Sequence, residues 1–290
     1  MNGLIQQTMS GLAVGGVYAC LALALVMIHQ TTHLVNFAQG EMAMFSTYMA
    51  WTLVSRGVPW ALALVITVGV SFVAGMALER LLMRRFRAAP LITTVIVMIG
   101  LMILLNGLVG MLFGYEVRSF ESPFETMDWL GTRWFSPHEA GVGLITLGVL
   151  GLVFVFFRYT RTGLAMRGAA ANALSSSLVG VNVGLILALG WGLAAAIGAV
   201  AGVLTAPIVY LEPHMMLNVM IYAFAGAVLG GISNAWGAVV GGLLLGVSEN
   251  LMGAYVIGSD LKLVFVLALI VAVLTLKPDG LFGRRVVTRV

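Results

Sequence analysis

The sequence is poor in charge. Charged residues make up only 9% of its 290 positions, while hydrophobic residues make up 61%. A soluble globular domain carries about 25% charged residues, so this chain has too few to cover a surface that faces water. We therefore expect lipid to surround most of the protein. The net charge of +4 is also too small to indicate a nucleic-acid partner.

Several signatures of chemistry are missing as well. Cys20 is the only cysteine, so no internal disulfide can form. A Walker phosphate loop needs Ser or Thr after its lysine, but the two lysines, Lys262 and Lys277, precede Leu263 and Pro278. The four histidines are dispersed and lack metal-ligand spacing. We expect the chain to bind no metal or cofactor, so that energy for active transport must come from a partner or an ion gradient.

Long apolar runs dominate what is present. A spanning helix needs about 20 apolar residues, because ~30 Å of hydrocarbon is crossed at ~1.5 Å per residue. The stretch 218–253 is apolar but interrupted near 231–236, which predicts two short helices or, alternatively, a re-entrant pair. We expect an all-α polytopic membrane protein with about eight or nine helices in one domain, 1–290. The other runs are 8–29, 35–54, 58–82, 91–113, 141–157, 184–206 and 261–276.

The N-terminal segment and the basic residues predict the topology. Met1 to Ser10 contains no Lys or Arg, unlike a signal peptide, so we expect the first run to be retained as a helix. Cytoplasmic loops carry an excess of Lys and Arg, and three clusters hold 11 of the 15 basic residues. Placing these clusters inside puts the N-terminus and the acidic loop 114–140 outside, and the C-terminus and the loop 158–183 in the cytoplasm. The clusters are Arg80, Arg84, Arg85 and Arg87; Arg158, Arg161 and Arg167; and Lys277, Arg284, Arg285 and Arg289, with Arg56, Arg118, Arg133 and Lys262 on the other side.

A polar hexapeptide, Asn36-Phe-Ala-Gln39-Gly40-Glu41, stands at the start of the second run. Glu41 precedes a stretch with no other charge, 42–54. A charge deep in the bilayer costs about 2.5–3.5 kcal/mol or more unless it faces protein or water. One interpretation is a broken helix whose polar groups line a solute route. The other is that Glu41 lies at the interface and complements the positive N-terminus of the second helix.

The segment 158–183 is too short and too polar to span. Its Ala-rich part, 169–178, predicts a helix that ends at Gly180. A short helix in a cytoplasmic loop needs a surface to pack against. We interpret it as an element that docks into a groove of an ATPase subunit, with a helix lying on the bilayer surface as the alternative.

Small residues recur at helical spacing in 226–246. Three GxxxG spacings occur there, and another joins Gly198 and Gly202. Such spacings allow close helix packing in membranes. A faint repeat relates 75–82 to 245–252, which suggests inverted halves with a solute route between them; Glu249 in the second copy is interpreted as a helix-end group rather than a route residue. The glycines assigned to packing are Gly226, Gly230, Gly237, Gly241, Gly242 and Gly246.

Six ordered segments resemble the permease subunits of branched-chain amino acid ABC importers, the LivH type. The resemblance covers almost the whole chain. Two departures are Gln39, where a His is usual, and the lack of an acidic residue near Asn172. The segments are Gly15–Ala24, Asn36–Glu41, Glu79-Arg80 with Arg84 and Arg85, Arg161–Arg167 with Gly180-Val-Asn182, Gly230–Gly242, and Pro278–Gly283.

This resemblance implies an importer of the bacterial inner membrane with an inverted-repeat permease fold that works by alternating access. A periplasmic solute-binding protein would deliver a branched-chain amino acid, or an amide, urea or aromatic acid. A paralogous permease subunit would complete the route, and two ATPase subunits would use ATP and Mg. The expected route residues are Tyr18, Asn36, Gln39, Gly40 and Glu41, and the expected coupling residues are Arg161, Gly163, Arg167, Asn172, Gly180 and Asn182.

Other classes of protein remain as alternatives. An ion-gradient secondary transporter or a passive channel would have no need of the docking loop, and few carboxylates lie in the apolar runs to relay protons. A membrane-embedded enzyme needs several polar groups at one depth, and only Glu41 with its neighbours offers them. A structural scaffold would not need the polar hexapeptide.

Overall fold

The structure, a computed structural model, describes residues 2–32, 34–87, 89–127, 131–132 and 134–283. Within these residues it contains helices and no strand longer than the isolated bridge between Arg118 and Leu211. The α-helices are α1 Asn2–Thr32, α2 Gln39–Ser55, α3 Trp60–Leu81, α4 Leu91–Phe113, α5 Pro137–Tyr159, α6 Arg161–Ala171, α7 Ala173–Leu178, α8 Val183–Val209, α9 Met216–Gly230, α10 Ala235–Met252 and α11 Lys262–Leu276.

Seven helical segments in the described residues are long and apolar enough to cross a membrane. The apolar α9 has only 15 residues, which corresponds to about 22 Å at ~1.5 Å per residue, and α2 has 17. The predicted all-α polytopic fold is confirmed, and α9 and α10 are the two helices expected in 218–253. The seven segments are Gly3–Gln30, Trp60–Phe86, Leu91–Phe113, Pro137–Tyr159, Val183–Val209, Ala235–Ile257 and Ser259–Leu276.

The start of α5 shows how a polar cap extends an apolar run. The apolar run begins at 141, but the helix begins at Pro137. Ser136 Oγ accepts a hydrogen bond from the Glu139 amide at 3.2 Å, and Glu139 Oε2 accepts one from the Ser136 amide at 2.8 Å. This reciprocal pair is a capping box, with proline in the favoured first position, so the helix starts one turn before its hydrophobic part.

The helix predicted over 169–178 is wrong as a single element. The helix already begins at Arg161 and is interrupted at Asn172, whose φ of −158° and ψ of 101° are extended. Asn172 Oδ1 accepts a hydrogen bond from the Ser175 amide at 2.9 Å. Asparagine side chains compete with the helical backbone in this way, so this residue ends α6 and caps α7.

The chain forms two compact units. The first contains Met1–Val26, Ser122–Leu147 and Asn218–Val290, and the second contains Met27–Glu121 and Gly148–Leu217. The expected inverted relation between halves stays a prediction, as does the assignment of one domain. Arg133, Arg284, Arg285 and Arg289, which entered the predicted topology, lie outside the described residues, and the orientation of the termini stays a prediction.

The second unit is built around α8, whose glycines and alanines admit α2 and α3. A Cβ added to Gly75 of α3 would lie 2.6 Å from the Trp191 carbonyl oxygen of α8, and one added to Gly202 of α8 would lie 2.8 Å from the Ala43 carbonyl oxygen of α2. Distances this short leave no room for a side chain. Backbone contact of this kind is how membrane helices gain packing energy without a hydrophobic driving force.

In the first unit, glycines allow the same close backbone contact between α1, α9 and α10. A Cβ on Gly242 of α10 would lie 2.6 Å from Ala19 Cα of α1, and one on Gly226 of α9 would lie 2.7 Å from Gly242 Cα. A Cβ on Gly246 would lie 2.6 Å from the Gly11 carbonyl oxygen. α10 therefore packs with α1 on one side and α9 on another. Gly230, Gly237 and Gly241 also lie at the α9–α10 contact.

The C-terminal segment closes on the turn between α9 and α10. The Leu281 amide donates to the Leu229 carbonyl at 2.8 Å, and the Phe282 amide donates to the Gly230 carbonyl at 3.0 Å. Asn234 Nδ2 donates to the Phe282 carbonyl at 3.1 Å. Gly231 adopts a φ of +106° there, which favours glycine. Two of the motifs that carried the resemblance, 230–242 and 278–283, are therefore neighbours in space.

Candidate functional site

The polar hexapeptide forms the turn that joins α1 to α2 in the second unit. Asn36 Oδ1 accepts a hydrogen bond from the Ala38 amide at 3.1 Å, and the Asn36 carbonyl accepts one from the Gln39 amide at 3.2 Å. Asn36 Nδ2 donates to Gln39 Oε1 at 3.3 Å. Asn36 and Gln39 are fully buried, and Gly40 is buried beside them. The polar side chains at the start of the motif therefore stabilise the backbone of the turn in which they lie.

Gln39 joins this turn to α8. Its Nε2 donates to the Ala194 carbonyl oxygen at 2.9 Å. A Cβ on Gly198 would lie 2.6 Å from the same nitrogen. The glycine of α8 therefore leaves room for the Gln39 amide, which a larger residue would displace. A buried amide needs partners for both of its polar atoms, and Gln39 finds them in Asn36 and α8. Gln39 therefore joins α2 to α8 through a buried hydrogen bond, and we call this contact between Gln39 and α8 the pin.

Glu41 begins a second polar cluster in this unit. It lies in the first turn of α2 and is 8% exposed. Asn106 Nδ2 in α4 donates to Glu41 Oε2 at 3.3 Å and to the Pro213 carbonyl at 2.8 Å, and it lies 3.3 Å from His214 Nδ1. Glu41 belongs to α2, Asn106 to α4 and His214 to the segment after α8. Together they form a polar cluster that extends from the buried Glu41 carboxyl to the exposed His214 ring.

Asn106 and His214 were not among the site residues predicted from the sequence. Asn106 is the only amide in α4, whose other polar side chains are Thr93 and Thr94, and an amide within a spanning helix is costly without a polar partner. The amide of Asn106 in a spanning helix was therefore a sequence signal that could have identified it as a site residue. No spacing in the sequence connects either residue to Glu41, because 65 and 173 positions separate them along the chain.

Tyr18 belongs to the first unit, whereas the other expected route residues belong to the second. Its hydroxyl donates to Glu249 Oε2 at 3.0 Å, and its ring centroid is 5.3 Å from that of Tyr222. Glu249 Oε1 lies 3.3 Å from Lys262 Nζ. Glu249 is in the last turn of α10, as expected of a helix-end group, but it is buried and both of its oxygens are engaged.

The loop 158–183 presents two short helices with one buried side. Gly163, Met166 and Ala169 of α6 are buried, at the spacing of one helix face. A Cβ on Gly163 would lie 2.7 Å from Phe157 Cα, so a larger residue would separate α6 from the end of α5. The other expected coupling residues are exposed: Arg161, Arg167, Asn172, Gly180 and Asn182.

Several of these exposed residues also shape the loop. Asn172 caps α7, and Asn182 Oδ1 accepts a hydrogen bond from the Leu185 amide at 3.1 Å to cap α8. Gly180 adopts a φ of +87°. Large apolar side chains are exposed between them, with Leu174 at 73% and Leu178 at 80%. The loop therefore exposes apolar side chains on α7 and two arginines, Arg161 and Arg167, on α6.

In the described part of the chain, no three His, Cys, Asp or Glu side chains form a group that could hold a metal ion. The expected absence of a cofactor stays a prediction.

Comparison with known proteins gives a consistent result. A family profile described as branched-chain amino acid transport system / permease component matches residues 7–274. The high-affinity branched-chain amino acid transport system permease protein LivH of Escherichia coli K12 is 31% identical, over 99% of this chain and 97% of that protein. BraD of Pseudomonas aeruginosa, described in the same words, is 31% identical over 99% and 98%.

One solved structure, PsaBC from Streptococcus pneumoniae in complex with Fab, aligns with 96% of this chain and 91% of that chain. Its TM-score is 0.45 and its sequence identity is 12%.

Proposed function

The chain belongs to the family of permease components of branched-chain amino acid transport systems, and from this premise we propose that it is the membrane-spanning subunit of an ATP-driven importer. Its solute is a branched-chain amino acid or a related small polar molecule. The chain itself hydrolyses no ATP. ATP and Mg are used by separate ATPase subunits, and the protein lies in the inner membrane with its C-terminus in the cytoplasm.

The observation that carries this proposal is the exposed surface of α6 and α7. Leu164, Leu174 and Leu178 are 62%, 73% and 80% exposed, on helices whose opposite side is buried. This loop lies beyond the end of a membrane span and follows the basic Arg158. Short amphipathic helices dock into apolar grooves of partners. An ATPase subunit with such a groove, rimmed by acidic residues for Arg161 and Arg167, is the proposed partner.

The geometry of this loop suits the transmission of a displacement from the ATPase subunit to the membrane helices. Thr160 caps α6 and Asn172 caps α7, while the buried side of α6 packs on the end of α5 and Asn182 caps α8. The Asn182 cap begins α8, the central helix of the second unit. A displacement of the loop is therefore delivered to the start of a helix that packs on α2 and α3.

The proposed solute route uses Glu41 with Asn106 and His214. A route for a polar solute needs groups that can exchange hydrogen bonds with it. This cluster reaches the surface at His214. Tyr18, Asn36, Gln39 and Gly40 remain proposed route residues from the resemblance, although the side chains of Asn36 and Gln39 are occupied by structural bonds.

Membership of the family supports the remaining proposed partners. A transport permease of this kind works with other subunits, and we propose a paralogous permease, two ATPases and a periplasmic solute-binding protein. Alternating access between the two faces of the membrane is the proposed mechanism.

The test is the double variant Leu174→Asp with Leu178→Asp. Acidic groups on the docking surface should abolish co-purification with the ATPase subunits and reduce ATP-driven leucine uptake into proteoliposomes by tenfold or more. The variant should still insert, because both positions are exposed. Val117→Asp is the matched control, since Val117 is 61% exposed outside the loop. Undiminished co-purification would refute the coupling role, and uptake without ATP would favour a secondary transporter or channel.

A further inference from the structure

A basic surface lies at the turn between α3 and α4 in the second unit. It carries the exposed arginines Arg80, Arg84, Arg85 and Arg87. Arg87 pairs with Glu79 through Nη2 and Oε1, but within the described residues the other three arginines make no ion pair. The surface therefore carries positive charge that no described part of the chain neutralises.

The length of α3 places this surface at the depth of lipid headgroups. The helical span Trp60–Phe86 has 27 residues, which corresponds to about 40 Å at ~1.5 Å per residue. The hydrocarbon core of a bilayer is about 30 Å thick, and the headgroup regions extend it to about 40–45 Å. Tryptophan and arginine are also typical of the two ends of a span. The arginines that follow α3 therefore reach the level of the lipid phosphates.

A cavity opens beside these arginines. Its volume is about 370 Å³, within the range of about 300–1,000 Å³ typical of small-molecule sites. Arg87 and Leu91 both line it and are both exposed, so it is accessible from the surface. The wall also contains apolar side chains, among them Met83, Phe86 and Met98. A ligand that enters here meets a cation at the opening and hydrocarbon further in.

Arg87 keeps the capacity to bind an anion while it is paired. A guanidinium carries five N–H donors, and among the described residues Arg87 bonds only through Nη2. Its Nη1 lies 3.9 Å from the position of a Cβ on Gly184, at the start of α8. Glu79 is buried, and its negative charge is offset by Arg87. An anion can therefore bind Arg87 from the exposed side.

Exposed apolar side chains continue from this turn along both helices. They are Leu81 at the end of α3, and Leu91, Ile92 and Ile96 at the start of α4. Ile92 and Ile96 are four residues apart and so lie on one side of α4. A molecule whose phosphate contacts the arginines can place hydrocarbon chains against these side chains.

From these features we infer that this surface binds an anionic phospholipid. Its phosphate contacts Arg84, Arg85 and the unpaired N–H groups of Arg87, one acyl chain enters the cavity, and the other lies along the exposed side of α4. A zwitterionic phospholipid meets the same apolar groups, but it adds an ammonium that the arginines repel. The inference goes beyond the proposed function, because neither a solute nor an ATPase takes part.

The experiment measures lipid retention by the full chain with native mass spectrometry. The protein in dodecyl maltoside is equilibrated with equal amounts of phosphatidylglycerol and phosphatidylcholine that carry the same acyl chains, and phosphatidylglycerol should be retained preferentially. The double variant Arg84→Gln with Arg85→Gln should weaken its retention by about tenfold or more, since each arginine near an anionic headgroup contributes about fivefold. Both side chains are exposed, so this variant should fold.

Controls separate this site from a general effect of charge. Arg158→Gln with Arg161→Gln removes the same charge from another exposed basic segment of the second unit and should leave retention intact. Ala89→Phe fills the cavity without altering the arginines and should weaken retention severalfold. Glycerol 1-phosphate has the phosphate but no acyl chain, and it should not displace the lipid.

Preferential retention of phosphatidylglycerol that is lost in the Arg84→Gln, Arg85→Gln variant and kept in the control supports the site. The inference is overturned if phosphatidylcholine is retained equally well, or if the two double variants lose retention equally. Retention by Ala89→Phe equal to that of the unmodified chain would exclude the cavity as part of the site, and displacement by glycerol 1-phosphate would show a site for free phosphate instead.

Discussion

The pin between α2 and α8 predicts a specific coupling between Gln39 and Gly198. Gln39→Leu removes the hydrogen bond to the Ala194 carbonyl and the one from Asn36. Each hydrogen bond is worth about 0.5–1.5 kcal/mol in soluble proteins and about 0.6 kcal/mol on average in membrane bundles. We therefore expect Gln39→Leu to lower the free energy of unfolding by about 1–3 kcal/mol.

Gly198→Ala reaches the same contact from the other side. The new Cβ would lie 2.6 Å from Gln39 Nε2 and 3.8 Å from Gln39 Cδ. It must push the amide away from Ala194, which adds strain of about 1–3 kcal/mol. Alanine in a helix recovers about 0.5–1 kcal/mol relative to glycine. The net cost of Gly198→Ala alone is therefore about 0–2.5 kcal/mol.

The double variant is the decisive measurement. Leucine has no terminal amide, and the 3.8 Å distance to Cδ is an ordinary contact, so the Gln39→Leu variant should tolerate the further change Gly198→Ala. The double variant should then cost no more than Gln39→Leu alone, at least about 1 kcal/mol less than the sum of the two single changes. Unfolding by SDS in dodecyl maltoside micelles, followed by far-UV circular dichroism, gives the four free energies.

Gly107→Ala in α4 is the control, because nothing lies within 4 Å of its added Cβ. It should be neutral or slightly stabilising. If the costs of Gln39→Leu and Gly198→Ala add to within about 0.5 kcal/mol, the two residues do not meet as described and the pin is refuted.

Three further changes test the packing elsewhere. Gly231→Ala should destabilise by about 1 kcal/mol or more, because its φ of +106° disfavours a side chain; a thermal midpoint equal to that of Gly143→Ala would contradict this. Lys262→Met should cost about 3 kcal/mol by leaving buried Glu249 without its cation, and adding Glu249→Gln should recover most of it; a further loss would exclude the pairing. Ser136→Ala should cost about 1 kcal/mol and speed hydrogen exchange in the first turn of α5, whereas unchanged exchange would argue against the capping box.

The sequence predicted the helices well because each hydrophobic run is long compared with any alternative element. The run 91–113 coincides with α4, and 58–82 nearly coincides with α3. The errors lie at polar residues. Ser136 and Glu139 move the start of α5, and Asn172 divides α6 from α7. At these positions a side-chain hydrogen bond outweighs the apolar pattern, and a count of hydrophobic residues cannot detect it.

The candidate sites were predicted only in part. The hexapeptide was recognisable because a carboxylate at the edge of an apolar run needs an explanation. Its partners were not, since Ala194 contributes a backbone carbonyl and its identity carries no signal. Glu249 and Lys262 were both noticed, but as separate helix-end and loop charges. Their pairing with Tyr18 depends on how α1, α10 and α11 pack, which no local pattern reveals.

The hydrogen bonds within the hexapeptide limit which of its side chains are free to contact a solute. Each polar atom of Asn36 and of Gln39 makes a bond within the turn or to α8, so a solute that bound either side chain would compete with bonds that hold the packing. Glu41 differs, because its Oε2 bonds to Asn106, which in turn lies beside the exposed ring of His214. On the proposed route, a solute would exchange places with these partners while Gln39 keeps α2 bound to α8. On this proposal the motif combines a fixed anchor, Asn36 with Gln39, and an exchangeable polar group, Glu41, so substitutions in the anchor should disturb stability before they disturb solute choice.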